Sequence, residues 1–256
     1  MSEAGSATGS RYERIGHGYA RTRREDPQIA ERVHAALGDA RTVVNVGAGT
    51  GSYEPSDRHV IAIEPSDVMA AQRPRDRAPA IRASAGSLPL RDDSVDAAMA
   101  MVTIHHWDDE QKRGVQELRR VARGPVVILT FDATVSTRMW LFADYMPEGT
   151  ALDLKTMPST DAVAGWLGAG TSVETVLLER DAPDWMCEAF WAHPERVFDA
   201  AARAATSSFA RTAPQVVDRV LKELRRDFDS GAWDARHGDL RTRDSYDVGL
   251  RLISNP

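Results

Sequence analysis

Three places in this 256-residue chain join chemically capable residue types to spacings that could bring them together. The first is Asn45-Val46-Gly47-Ala48-Gly49-Thr50-Gly51, directly after the β-branched run 42–46. Glycines there let the backbone turn tightly and bring N–H groups against a ligand with no Cβ in the way. A pyrophosphate loop uses G-x-G-x-x-G. Here the third glycine comes one residue early and position 52 is Ser, which suits a ligand without a pyrophosphate. The second place is Glu64, at the end of the next run, HVIAIE (59–64), where a carboxylate can accept both hydroxyls of a ribose. Loop and acid together predict a nucleoside site. The third is His105-His106, after SVDAAMAMV (94–102), with Asp132 after PVVILTF (125–131). A His–Asp pair can accept a hydroxyl proton and steady the resulting charge. The structural alternative, one histidine bonding backbone and the other setting a turn, stays open. No metal is expected: adjacent histidines diverge, and Asp108 and Asp109 read as a helix cap.

Four short β-branched runs, 42–46, 59–64, 94–102 and 125–131, alternate with helical patterns. Asp108 to Ala122 carries Val115, Leu118 and Val121 on one stripe. Asp26-Pro27 opens a helix with Ile29, Val33 and Leu37 at spacings of four. Strands alternating with helices imply right-handed crossovers and a parallel sheet, so the fold class is α/β. Ligands of such sheets bind at the carboxyl edge, where all three places fall. Further on, 159–167 reads as a capped helix, 171–179 as a strand, 193–205 and 214–228 as helices, and 246–254 as a last strand. The expected organisation is an N-terminal tail and cap helix (1–40), a core (41–182), a helical lid insertion (183–240) and a final core strand (241–256).

A hydrophobic content of 42% and a charged content of 27% predict a real core. The net charge of -6 argues against a nucleic-acid or membrane-surface partner. One cysteine, Cys187, allows no disulfide and reads as a buried thiol. Residues 1–10 lack the apolar core of a signal peptide, and no run is long enough to cross a bilayer, so a cytoplasmic protein is expected.

The segments VVNVGAGTG (43–51), VIAIEPS (60–66), ASAGSLPLRDDSVDAAMA (83–100), IHHWDD (104–109) and ELRRVARGPVVILTFD (117–132) resemble the class I S-adenosylmethionine (SAM)-dependent methyltransferases. The likeness is to the branch of the ubiquinone/menaquinone-biosynthesis enzymes and natural-product methyltransferases. It implies a Rossmann-like seven-stranded, mostly parallel sheet of order 3-2-1-4-5-7-6, with SAM bound and S-adenosylhomocysteine released. It also implies that Gly47 and Gly49 contact the methionine part, that Asn45 and Ala48 belong to the cofactor site, that Glu64 holds the ribose and that Pro65 flanks the adenine. Ser84 and Ala85 would meet the adenine's amino edge, Met101 and Val102 the sulfonium, and Tyr19 and Arg24 would close over the methionine. The family usually has an acid where this chain has Asn45, and an Asp where it has Ser84. Only 52–58 separates the loop from the next strand, too short for the usual helix.

Trp140, Tyr145, Trp185 and Trp191 flank or occupy the expected lid and are its candidate substrate-pocket residues, although aromatics serve cores as readily. Trp107 and Trp166 read as core. An aromatic-lined lid would favour a flat, apolar small molecule, with methyl transfer to oxygen preferred and to nitrogen or carbon open. Two other functions remain: a SAM-binding enzyme of this fold that catalyses a cyclisation or rearrangement, and a non-catalytic nucleoside-binding partner.

Overall fold

The structure, a computed structural model, describes residues 23–256; Tyr19 lies outside the described residues. Its centre is a seven-stranded sheet of β1 (Thr42–Val46), β2 (His59–Ile63), β3 (Ala80–Ile81), β4 (Ala97–Met101), β5 (Val126–Phe131), β6 (Ser172–Thr175) and β9 (Leu250–Asn255). The order is β3-β2-β1-β4-β5-β9-β6. Since β9 is seventh and β6 sixth of these strands along the chain, this is the expected 3-2-1-4-5-7-6. Strand β9 runs antiparallel to both β5 and β6, while the other pairings are parallel. A two-stranded ladder of β7 (Leu178–Glu179) and β8 (Ser245–Tyr246) ties together the ends of the helical segment between them.

Period-two alternation sends side chains to two faces. Met99 and Met101 of β4 and Leu129 and Phe131 of β5 join one core, while Ala98, Ala100 and Ile128 join the other. Against the second face lie α2 (Gln111–Val121) and α3 (Thr160–Leu167), through Val115, Leu118, Val121, Val163 and Leu167. Helix α1 (Pro27–Ala36) is capped by Asp26, whose side chain accepts from the Gln28 and Ile29 amides, and buries Ile29 and Val33 against the first face. That face also receives the helical segment, whose Phe190, Trp191 and Trp233 pack into the same core as Trp140, Phe142 and Tyr145.

Two expected elements break. The run 171–179 divides into β6 and β7, and Val176, between them, is buried in the first core. The helix expected over 193–205 splits into a 3-10 turn, Pro194–Phe198, and a short helix, Ala200–Ala204. Asp199 restarts it as an N-cap, accepting from Ala201 and Ala202. No helix among the described residues is long and apolar enough to cross a membrane.

Candidate functional site

The loop after β1 forms turns and no helix, in keeping with its length. Gly47, Gly49 and Gly51 all take positive φ, at 70°, 50° and 95°. The Gly47 and Ala48 amides both donate to Ile63 O at 2.9 Å, which fastens the loop to the end of β2. Glu64 fastens it a second time: Oε2 accepts from the Gly49 amide and Oε1 from the Ser66 amide, each at 2.8 Å. Each oxygen keeps a second lone-pair site, so both can still accept a ribose hydroxyl. Burial pushes the Glu64 carboxyl up from its ordinary value, and the Ser66 and Gly49 amides pull it part of the way back.

A buried network does work that a helix would otherwise do. Asn45 Nδ2 donates to Glu54 Oε1 at 2.9 Å, and Arg73 holds both Glu54 oxygens at 2.9 and 2.8 Å. Arg73 also donates to Gly49 O at 3.1 Å. Thus a carboxylate does reach the neighbourhood of Asn45, from nine residues further along the chain. Asn45 Oδ1 and the Tyr53 hydroxyl are buried without a hydrogen-bond partner among the described residues. Buried polar atoms of this kind cost free energy unless a ligand or water meets them.

On the facing side, Val102 turns β4 out of the sheet at φ 51°, a strained conformation for a β-branched residue. Thr103 follows, and a 3-10 turn, Ile104–His106, then presents both histidines. Their rings lie 3.8 Å apart between centroids, tilted by 48°. Both side chains are buried, and both line one large cleft with the glycine loop and Glu64. The cleft encloses about 1310 Å³ of empty space, its open solvent mouth included.

Asn45, Gly47, Ala48, Gly49, Glu64, Pro65, Ser84, Ala85, Met101, Val102, His105 and His106 all line this cleft. The remaining candidates among the described residues do not. Arg24 is exposed, and its neighbour Arg23 lines the cleft instead. The buried carboxylate of Asp184 decides which arginine turns inward, accepting from Arg23 Nε at 2.5 Å. Asp132 lies outside the cleft because its carboxylate caps the helix Ala133–Ser136, taking the Thr134 amide at 2.9 Å and hydroxyl at 2.6 Å.

The four aromatics are also displaced from the expected pocket. Trp140 donates to Trp191 O at 2.9 Å and meets Tyr145 and Trp233 edge to face. Tyr145 donates to Asp227, Trp191 stacks on Tyr246, and Trp185 carries the Arg196 guanidinium. Large rings gain most where two layers meet, so they became the cement between insertion and sheet. The insertion lends the cleft only small residues, Ala205 and Ser207. Trp107 is buried in the second core, as expected, and also forms part of the wall. Tyr53, Met69, Thr103 and Glu110 also line it and were missed. None of them stands in a motif, although Glu110 is only four residues from His106.

A family model described as a methyltransferase domain matches residues 44–128. A solved structure from Anabaena variabilis, described as a methyltransferase from an antibiotic biosynthesis pathway, is 30% identical with a TM-score of 0.84. The alignment covers 92% of this chain and 99% of that one. The chain belongs to the SAM-dependent methyltransferases. Two further structures share the fold. Phosphoethanolamine N-methyltransferase 2 of Haemonchus contortus, solved with phosphomonomethylethanolamine and S-adenosylhomocysteine, is 12% identical with a TM-score of 0.57, covering 97% of this chain and 59% of that one. The [4+2]-cyclase SpnF is 16% identical with a TM-score of 0.56, covering 97% and 94%. No curated protein matches the chain.

The residues of this methyltransferase fit SAM, its family's cofactor. Glu64 offers acceptors for a ribose, and Asn45 Oδ1 offers an acceptor beside the glycine loop, where an ammonium group would lie.

Proposed function

We propose that this methyltransferase methylates a hydroxyl oxygen of a small natural-product acceptor, with the His105–His106 pair receiving the hydroxyl proton. The observation that carries this is the pair's placement in the wall of the same cleft as the glycine loop and Glu64. SAM supplies a methyl group on a positively charged sulfur. In-line transfer asks the protein chiefly for alignment and exclusion of water. The strained Val102 and the adjoining Thr103 and Met101 shape the wall between glycine loop and histidines, and there the acceptor oxygen is aligned. An imidazole within reach of that oxygen takes its proton as the new bond forms, contributing roughly 10²–10⁴-fold.

The cleft lining also includes Arg23, Tyr53, Thr103, the histidines and Ser207, and these polar groups favour a hydroxylated acceptor over a bare apolar one. The likeness to the Anabaena variabilis protein supports a natural-product acceptor. Expected placement of the reaction is the cytoplasm, without a membrane or nucleic-acid partner.

Label transfer from methyl-labelled SAM to a panel of phenols and alcohols tests the reaction. His105→Ala and His106→Ala should each be measured for turnover across pH, with cofactor affinity measured separately. At least one should lose about a hundredfold in turnover with SAM affinity kept, the loss shrinking as pH rises and the acceptor ionises. Asp132→Asn should retain wild-type turnover, because its carboxylate is engaged as a helix cap. Near-normal turnover in both histidine variants would remove the proton-transfer role, and product without label would remove methyl transfer.

A further inference from the structure

Pro65, Met69, Ala83, Ala85 and Trp107 give the cleft apolar lining, and Ser84 and Glu110 add polar groups to it. With the ribose on Glu64 and the methionine along the glycine loop, the family likeness sets the adenine against Pro65, Ser84 and Ala85. A flat base between apolar walls is held loosely along its edge unless a polar group there meets its amino nitrogen. Position 84, where the resembling family usually has Asp, carries only a hydroxyl.

A second element supplies the missing carboxylate. Glu110 precedes α2 at its N-cap position, yet its side chain makes no capping bond. Instead it lines the cleft beside Ser84, whose Oγ donates to Oε1 at 3.5 Å. Gly86 leaves room for the carboxylate in this position: a Cβ there would sit 2.6 Å from Glu110 Oε1 and 2.7 Å from Cδ, and the Glu110 side chain would have to shift. Gly114 serves the same wall, since its Cβ would sit 2.6 Å from the Trp107 ring. Thus Ser84, Gly86 and Glu110 form one set in which the small residues make room for a carboxylate brought from another element.

We propose that Glu110 reads the 6-amino group of the bound adenine and so supplies the cofactor's base specificity in this chain. The proposal rests on SAM as the cofactor and adds the residue that distinguishes it from analogues with a different base. An amino group donates to the carboxylate, whereas a 6-oxo group would set an oxygen against it. A charge-assisted hydrogen bond of this kind is worth about tenfold to a hundredfold in affinity.

Calorimetry with S-adenosylhomocysteine and its 6-oxo analogue S-inosylhomocysteine tests this without any turnover. The wild-type protein should prefer the adenosyl ligand by about a hundredfold or more. Glu110→Ala should lose about tenfold to a hundredfold for the adenosyl ligand and change little for the inosyl one. Glu110→Gln, whose amide can donate to an oxo group, should also compress the preference. Adding Ser84→Asp to Glu110→Ala should restore adenosyl binding, an outcome a merely structural role for Glu110 would not give. Equal losses for the two ligands, or unchanged adenosyl affinity in Glu110→Ala, would overturn the proposal. Failure of the wild type to bind either ligand would instead remove the cofactor itself, and the proposal with it.

Discussion

Two glycines two residues apart in one loop, Gly47 and Gly49, would be expected to tolerate alanine alike; here they should not. Gly47 has φ 70°, and an added Cβ would lie 2.1 Å from Thr103 Oγ1, 2.8 Å from its Cγ2 and 2.9 Å from its Cβ. Because the threonine Cβ itself is that near, rotating its side chain cannot clear the space. Left-handed backbone costs a residue with a Cβ about 1–2 kcal/mol. Overpacking adds about 1–3 kcal/mol. Gly47→Ala should therefore lose about 3 kcal/mol. Gly49 has φ 50°, but its added Cβ meets only the Met69 methyl at 3.4 Å, so about 1 kcal/mol is lost. At roughly 2–4 °C per kcal/mol for a chain near this size, the melting temperature should fall roughly 6–12 °C in the first variant and 2–4 °C in the second. Thr103→Ala in the Gly47→Ala background should recover part of the loss by removing two of the three contacts. Thermal melts of the four proteins, with denaturant titrations as a second measure, decide it. Equal losses at the two glycines, or no recovery in the double variant, would refute the packing account of this loop.

Two pH dependences follow from the charged groups. Ribose hydroxyls donate to ionised Glu64, whose pKa burial has raised, so SAM affinity should fall as pH drops, beginning above the ordinary carboxylate range. Calorimetric titrations of wild type and Glu64→Gln check it: the variant should bind weakly with a flat profile, and a flat wild-type profile would contradict the prediction. Asp227 is drawn down to about 2, first by its hydrogen bond with Arg236 and despite desolvation. Because its folded pKa lies below the unfolded value, the stabilisation is fully present above about pH 4 and vanishes as pH falls through about 2. Asp227→Asn should cost about 1–2 kcal/mol at pH 7, after discounting the exposed Arg226 partner, and match wild type near pH 2 in denaturant melts.

Local physics made much of this molecule legible in its residues. Thr42–Val46 is a strand because β-branched residues fit a pleat, and the glycines that follow admit positive φ that other residues resist. Val115, Leu118 and Val121 faced the core because a helical repeat leaves them no other common face. Glu64 and His105-His106 reached one cleft because successive parallel strands end at one edge of the sheet. The antiparallel last strand came from the family likeness and not from any repeat in the sequence.

Tertiary packing decided the rest. Residue type alone does not say whether Trp140 or Trp191 meets a ligand or another ring, and the contact between insertion and sheet settled it. Asp184, more than a hundred residues away along the chain, chose Arg23 over Arg24. Asp132 was claimed by the nearest amides, which cap a helix start at little entropic cost. Glu54 and Glu110 stand outside the motif positions their charges serve, because a binding site requires a carboxylate at a point in space and any element that passes there can provide it.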